Sequence, residues 1–196
     1  MNQSFEQHWH QLYPNILPLS HLFKYYFSEY WIRLYSFQNG QRYANHYNEM
    51  HSLLEFQNEV INECLSTNQS LYIVSHQFKH PTEIIFEQNL NHLPYKFVTS
   101  SSIYPYQVDS KFYEDDQKDL LLISLSTQTI WQTHSHDILL SQIANDEINA
   151  FLMPLDNQCI IAPYDGGIDL IIFNTQLKNQ IKSKYLDRIS TRDDGL

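Results

Sequence analysis

The stretch IIAPYDGGIDLII, residues 160–172, constrains the fold more than any other part of the sequence. Two apolar runs flank a polar centre of one Asp and two Gly residues at 165–167. A phosphate-binding loop needs more glycines, a Lys followed by Ser or Thr, and a helix behind it. Here there is no lysine, and an apolar run takes the place of the helix, which also argues against a dinucleotide-binding turn. Asp-Gly between apolar runs is typical of a β-hairpin, so we predict strands at 159–163 and 168–173.

Hydrophobic periodicity and turn residues predict the other elements. Alternation of side chains indicates a strand, and apolar residues at three- and four-residue steps indicate a helix. In chain order we predict a strand at 31–38 ending at Asn39-Gly40, a helix at 43–65, a buried strand at 71–78, a strand entered from an acidic loop within 114–126, a helix at 137–148 with Asp137 as its N-cap, the hairpin, and a helix at 174–189 opening at Asn174 or Thr175.

This order of elements predicts the fold class. A chain of 196 residues favours one domain, and 42% hydrophobic and 14% aromatic residues suffice for a packed core. We predict a single α+β domain over residues 1–196, with a mostly antiparallel sheet packed by helices. The segments 1–30 and 79–110 are expected to be less regular.

The charge balance bears on partners. Twenty-two acids against 12 Lys and Arg give a formal net charge of −10, and no Lys or Arg occurs between Leu120 and Leu177. Phosphate backbones repel such a chain, so direct nucleic-acid binding is not expected. If the acids share a face, they would form a docking surface for a basic protein. A solvated surface that merely lacks lysines is the alternative.

Cysteine usage and hydropathy bear on localisation. The two cysteines, Cys64 and Cys159, lie far apart in no metal or redox spacing, so a disulfide framework is not expected. The N-terminal residues show no signal-peptide pattern, and no run approaches the about 18 apolar residues of a membrane span. We therefore expect a cytoplasmic protein that contacts no membrane; its oligomeric state stays open.

Ten histidines raise the question of a metal site. His134 and His136, followed by Asp137, are the best candidate ligands, but there is no HExxH motif and no Cys/His cluster. There is also no GxSxG nucleophile motif, and the acids Glu114, Asp115 and Asp116 stand in a polar loop. We expect surface or hydrogen-bonded histidines, no cofactor and no enzyme. A small metal-dependent hydrolase using His134, His136 and Asp137 remains the alternative.

Several segments together resemble a known family. They are WIRLYS at 31–36, the predicted helix leading into LYIVSHQF, the acidic lead into LLLISLS, and PYDGGIDLII ahead of LKNQIKSKYLDRI. The chain resembles bacterial family 3885 of domains of unknown function, whose members show a Tyr-Asp-Asp-Arg-Gly-x-Asp pattern in the last hairpin. Tyr164, Asp165, Gly167 and Asp169 match this pattern, and Tyr185 fits the following helix. The family's Arg is missing here, and the turn is one residue shorter.

The resemblance also implies a function. Small acidic proteins of this kind often look like immunity proteins of polymorphic or contact-dependent growth-inhibition toxins. We therefore expect a non-enzymatic protein that binds and neutralises the toxic C-terminal domain of a cognate toxin, a nuclease with a basic face. The expected contact residues are Asp115, Asp116, Asp137, Glu147, Tyr164, Asp165 and Asp169.

Overall fold

A computed structural model describes residues 4–37, 41, 43–80, 82 and 89–189. Within these residues the chain is a single α+β domain, as predicted. Its strands are β1 (Trp31–Tyr35), β2 (Ser70–Lys79), β3 (Val98–Ile103), β4 (Leu121–Ile130), β5 (Ala150–Pro154), β6 (Cys159–Tyr164) and β7 (Gly167–Ile172). Its helices are α1 (Phe5–Leu12), α2 (Phe23–Tyr26), α3 (Tyr47–Cys64), α4 (Pro105–Val108), α5 (Asp137–Ala144) and α6 (Thr175–Lys184).

The strands form one seven-stranded sheet in the order β1-β7-β6-β5-β2-β4-β3, and every neighbouring pair is antiparallel. The longest ladder joins β2 to β4, from Ser70 opposite Ile130 to Lys79 opposite Leu121. Because β4 and β5 both run antiparallel to β2, these two strands are parallel to each other and begin at the same end of the sheet.

Three helices, α3, α5 and α6, cover one face of the sheet. Alternate strand residues such as Ile168, Leu170 and Ile172 of β7 point to this face and join an aliphatic core. The helices contribute apolar residues from one side each, including Val60 and Ile61 of α3. This matches the stripe that the sequence predicts for α3.

The N-terminal segment covers the other face. Periodicity alone predicts no helix before residue 31, yet α1 and α2 lie there and supply Phe5, Trp9 and Phe23 to a core rich in aromatic side chains. A capping box starts α1, because the Ser4 side chain accepts a hydrogen bond from the Gln7 backbone N–H at 3.3 Å, and the Gln7 side chain accepts one from Ser4. Ser4-x-x-Gln7 is the sequence signal that could have revealed this helix.

Several predicted boundaries differ from the structure. Strand β5 is missing from the prediction, because five buried residues ending in Pro154 show no periodicity. The N-cap of α5 is His136 and not Asp137, which is the first helical residue. This helix ends at Ala144 because Asp146, at φ 59°, adopts the left-handed conformation. Helix α6 begins after its N-cap Asn174, as predicted, but ends at Lys184.

Segment 79–110, expected to be less regular, contains β3 and α4, and two further boundaries can be compared. The predicted end of the first strand at Asn39-Gly40 lies outside the described residues. Helix α3 starts at Tyr47, four residues later than predicted. Within the described part of the chain, no helix combines the length and the apolar character that a membrane crossing requires.

Candidate functional site

The stretch at 160–172 is a hairpin. Tyr164 of β6 pairs with Gly167 of β7, so Asp165 and Gly166 form a two-residue turn. A side-chain oxygen of Asp165 accepts a hydrogen bond from the Gly166 N–H at 2.8 Å. In a phosphate-binding loop the turn is followed by a helix whose N-terminal N–H groups bind the phosphate. Here strand β7 follows the turn directly, so the hairpin is not a phosphate-binding loop.

Gly167 is required at this position by close packing of backbone. A Cβ at residue 167 would stand 2.1 Å from the backbone oxygen of Leu34 and 2.8 Å from the hydroxyl of Tyr164. The hairpin therefore approaches the edge strand β1 more closely than any side chain at 167 would permit. Ser36 extends this contact, because its N–H donates to the Gly166 carbonyl at 3.0 Å.

A buried ion pair lies beside the turn. Arg33 of β1 stands directly opposite Asp169 of β7 in the strand register. The guanidinium Nε donates to Oδ1 of Asp169 at 2.7 Å, and Nη2 donates to Oδ2 at 2.8 Å. Only 14% of the Arg33 side chain and 7% of the Asp169 side chain are exposed. Such a two-point contact fixes both groups within the sheet face.

Aromatic rings enclose the ion pair. The guanidinium carbon of Arg33 lies 4.7 Å from the centre of the Tyr164 ring and 5.4 Å from that of Trp31. Burial alone would lower the pKa of Arg33, but the hydrogen bonds and the charge of Asp169 raise it above its usual value. Burial also raises the pKa of the Tyr164 phenol. The guanidinium is therefore permanently charged, and Tyr164 stays protonated.

Three of the expected site residues, Tyr164, Asp165 and Asp169, lie at this hairpin. Asp165 and Asp169 are buried, at 4% and 5% exposure, and Tyr164 is half-buried against Arg33. A partner protein could reach neither carboxylate without opening the hairpin. We therefore leave Asp165, Asp169 and Tyr164 out of the contact surface considered below.

His136 lies in the interior and uses both ring nitrogens. Nε2 meets the Ile130 carbonyl at 3.0 Å, so it carries the proton and donates, and Nδ1 accepts from the hydroxyl of Tyr95. The ring is stacked against Trp131 and Tyr95. Burial lowers the pKa of His136, which keeps the ring neutral. In this arrangement neither nitrogen can accept a metal ion.

His134 and Asp137 meet on the surface beside α3. The Nδ1 atom of His134 lies 3.1 Å from Oδ2 of Asp137, and Asn58 donates from Nδ2 to the other Asp137 oxygen at 2.7 Å. Asn58 also accepts from the His134 N–H at 2.8 Å, which holds His134 at a left-handed φ of 64°. The half-buried Asp137 thus ties the start of α5 to α3. Among the residues that the structure describes, no group of three or more His, Cys, Asp or Glu could hold a metal ion.

The other expected acids are exposed at one end of the sheet. Asp115 and Asp116 lie in a 3-10 turn (Asp115–Gln117) that leads into β4, and Glu147 lies between α5 and β5. Since β4 and β5 begin at the same end of the sheet on either side of β2, their lead-in segments flank the end of β2. We call this surface the acidic end; its exposed acids are Glu114, Asp115, Asp116, Asp119, Asp146 and Glu147.

Strand spacing and register give the separation of the starts of β4 and β5 at the acidic end. Strands β4 and β5 are two strand spacings apart, about 10 Å. The start of β4 lies opposite Lys79 and that of β5 opposite Ser75, a further offset of about 13 Å along β2. Lys118 contacts Asp115 at 2.9 Å and lowers the pKa of that carboxyl below its usual value. Acids still outnumber lysines there, so the local field is negative.

The expected contact residues therefore divide into three places. Asp115, Asp116 and Glu147 share the acidic end, Asp137 lies beside α3, and Tyr164, Asp165 and Asp169 belong to the buried hairpin. The charge pattern of the sequence gave no sign of this division, because it records where acids occur along the chain and not their partners. The Arg33–Asp169 pair depends on strand register, which only the fold reveals.

One family matches most of the chain. Residues 19–193 match the family model described as "Domain of unknown function (DUF3885)". The match begins after α1, although α1 packs into the aromatic core. No curated protein and no solved structure matches the chain.

Proposed function

The chain belongs to the DUF3885 family, and we propose that it is a cytoplasmic immunity protein that binds and neutralises the toxic C-terminal domain of a cognate bacterial growth-inhibition toxin. In this proposal the partner is a basic nuclease domain, and the acidic end is the surface that binds it. The observation that carries the proposal is the separation of acids into a buried, paired group at the hairpin and an exposed group at the acidic end.

Electrostatics support a protein partner with positive charge. The chain has a net charge of −10, and its 58 residues from Leu120 to Leu177 contain no Lys or Arg. The acidic end projects this charge from exposed positions such as Asp116 and Glu147. Exposed like charges raise the association rate with a basic partner and choose among partners by complementarity.

The chain would neutralise the toxin by covering the face of the toxin that binds its substrate. A nuclease needs a positive face to hold the phosphate backbone of its substrate. Carboxylates of the acidic end that pair with this face compete with the phosphates and block their entry. Tyr104, 38% exposed beside the helix α4 that leads toward these acids, is an aromatic side chain suited to anchor the contact.

Growth rescue tests this function. The full chain is produced in cells that also produce a candidate cognate toxin, a basic domain whose production alone stops growth. We expect growth to be restored by the wild-type chain and the purified pair to form a one-to-one complex in titration calorimetry. An unrelated acidic protein of similar size and net charge, produced at the same level, serves as the control.

Two results would contradict the proposal. The first is loss of growth despite soluble production of both chains, and the second is rescue by the unrelated acidic protein, which would show that charge alone suffices. Affinity should also fall as salt increases, because exposed charge pairs are screened over about 8–10 Å at physiological ionic strength. An affinity that does not change with salt concentration would indicate that the contact surface lies away from the acidic end.

A further inference from the structure

The two edges of the sheet differ in how the chain covers them. At one edge, Leu34 of β1 forms a β-bridge with Ile189, and Arg188 donates from Nη1 to the Ser36 carbonyl at 2.7 Å. At the other edge, β3 pairs only with β4 among the residues that the structure describes. The C-terminal segment therefore covers the β1 edge, and no described segment pairs with the outer side of β3.

Strand β3 also lacks the residues that usually block an exposed sheet edge. Its sequence, Val-Thr-Ser-Ser-Ser-Ile, contains no Lys, Glu, Asp or Pro. Charged side chains and prolines on an edge strand prevent another chain from pairing with it, and an edge without them accepts an added strand more readily. Val98 is 55% exposed, and Thr99 and Ser102 are also exposed. The backbone groups on the outer side of β3 are therefore available to another strand.

A bulge restricts the part of β3 that is available for pairing. The register against β4 shifts between Thr99 and Ser101, where the hydroxyl of the intervening serine donates to a β4 carbonyl at 3.1 Å. From Ser101 to Ile103 the ladder is regular again, and Tyr104 continues in an extended conformation at φ −89° and ψ 104°. Alternate residues of this run, 101–104, point their N–H and C=O groups away from β4.

The run at 101–104 leads to the acidic end. Ile103 lies opposite Leu122 near the start of β4, so the acids that precede β4 lie beside the end of β3. The Tyr106 hydroxyl donates to Oδ1 of Asp115 at 3.0 Å, which holds the acidic turn against α4, directly after β3. A strand added along this run would have one end beside exposed carboxylates, which attract Lys or Arg. A second copy of the chain is disfavoured there, because each copy carries a net charge of −10.

We propose that an extended segment of the basic toxin domain pairs with residues 101–104 and adds one strand to the seven-stranded sheet. This inference rests on the proposed function and specifies how the toxin binds. Main-chain hydrogen bonds along β3 hold the segment, and its side chains decide which segment fits. Its Lys or Arg residues pair with exposed acids of the acidic end such as Asp116. The Tyr104 ring, 38% exposed at the end of the run, packs on the added strand.

Amide hydrogen exchange of the full chain tests the added strand, with and without the basic toxin domain that growth rescue identifies. In the complex we expect the outward N–H groups of residues 101–104 to exchange at least about ten-fold more slowly. Strand β1 at the covered edge should exchange at equal rates in both samples and serves as the internal control. A complex in which exchange at 101–104 is unchanged would overturn this inference and leave the proposed function standing. Failure of the two chains to bind would overturn both.

Proline variants test the backbone pairing itself. Neighbouring residues of a strand point their N–H groups to opposite sides, so only one of Ser101→Pro and Ser102→Pro removes an outward donor. That variant is recognised by an unfolding free energy closer to wild type, and we expect it to bind the toxin domain roughly ten-fold or more weakly. Val98→Pro, at the first position of β3 and before the bulge, is the control and should stay within about three-fold of wild type. Wild-type affinity in the outward proline variant would overturn the inference.

A second copy of the chain is the other occupant that the test distinguishes. Exchange is measured for the free chain at low and high concentration, together with its mass in sedimentation. We expect exchange at 101–104 to be independent of concentration. Slower exchange at high concentration, with a dimer in sedimentation, would assign the edge to a second copy and overturn the inference.

Discussion

Two sets of acidic residues in this protein differ in their exposure to solvent and in their contacts. At the hairpin, Asp169 is buried and receives two hydrogen bonds from Arg33. At the acidic end, Asp116 and Glu147 are exposed to solvent. The sequence presents all of them alike, as acids within or just before the stretch from Leu120 to Leu177 that contains no Lys or Arg. Burial and strand register alone decide which acids hold the fold and which can meet a partner.

The two sets of acids differ in what their charges cost. A buried ion pair forms because each charge would be costly without the other. An exposed carboxylate stays in contact with water, so it costs almost no free energy and contributes little to the stability of the fold. A cluster of such carboxylates on the surface is therefore available to bind a partner. The following changes test this division, beginning with the largest expected effect.

Removal of Arg33 should have the largest effect. Arg33→Ala leaves the Asp169 carboxylate buried without its partner, so we expect a loss of about 3–5 kcal/mol in the free energy of unfolding, measured by urea denaturation. The matched control is Lys118→Ala, which breaks the exposed pair with Asp115 and should change the free energy of unfolding far less. Equal losses in the two variants would abolish the distinction between the two sets.

Gly167→Ala tests the close contact of the hairpin with β1. The added methyl group would stand 2.1 Å from the Leu34 oxygen, so the β1–β7 ladder must shift. We expect a loss of about 3 kcal/mol in the free energy of unfolding. Gly166→Ala changes the neighbouring turn residue in the same way and is the comparison variant. A neutral Gly167→Ala would show that β1 yields without cost.

The buried side chain of His76 should affect how the free energy of unfolding depends on pH. Burial, and then the nearby His21, lowers the pKa of His76 to about 3, against about 6.5 in an unfolded chain. His76 is therefore neutral in the folded state, and its contribution is complete above pH 6.5 and is lost as pH falls toward 3. We expect wild type to lose about 3 kcal/mol more between pH 6.5 and 4 than His76→Gln does. Parallel urea-denaturation curves for the two would contradict this.

Metal content is the smallest expected effect, since we expect none. The purified chain without a histidine tag should contain far less than one equivalent of zinc, manganese or iron by elemental analysis. His136→Ala should reduce stability by about 2 kcal/mol, because the ring fills the space between Trp131 and Tyr95 and bonds to both Ile130 and Tyr95. A stoichiometric metal that His136→Ala removes would instead favour the metal-dependent hydrolase.

Local pattern was enough to predict much of the fold. The Asp-Gly turn, the stripe of α3 and the cap of α6 at Asn174 follow from neighbouring residues, so the hairpin and both helices were predicted near their true positions. Strand β5 was missed because a fully buried strand shows no alternation. Helix α1 was missed because its stability comes from aromatic packing between distant residues such as Phe5 and Phe151.

The candidate sites depended more on the fold. From the charge pattern we predicted Asp115, Asp116 and Glu147, among others, as contact residues, and this stays a prediction. The charge pattern gave no means of finding the Arg33–Asp169 pair or the hydrogen bonds of His136, since each joins residues brought together by packing. Strand register was missing for the ion pair, and side-chain burial was missing for His136.

The most direct measurement compares two variants with equal changes in charge by their affinity for the basic toxin domain that we propose as the partner. One variant combines Asp116→Lys, Asp119→Lys and Glu147→Lys at the acidic end; the other combines Glu29→Lys, Asp156→Lys and Asp187→Lys at exposed positions elsewhere. We predict that the first weakens binding roughly 30- to 100-fold and loses most of its salt dependence, while the second stays within about five-fold of wild type. Equal affinities for the two variants would contradict the assignment of the acidic end as the binding surface.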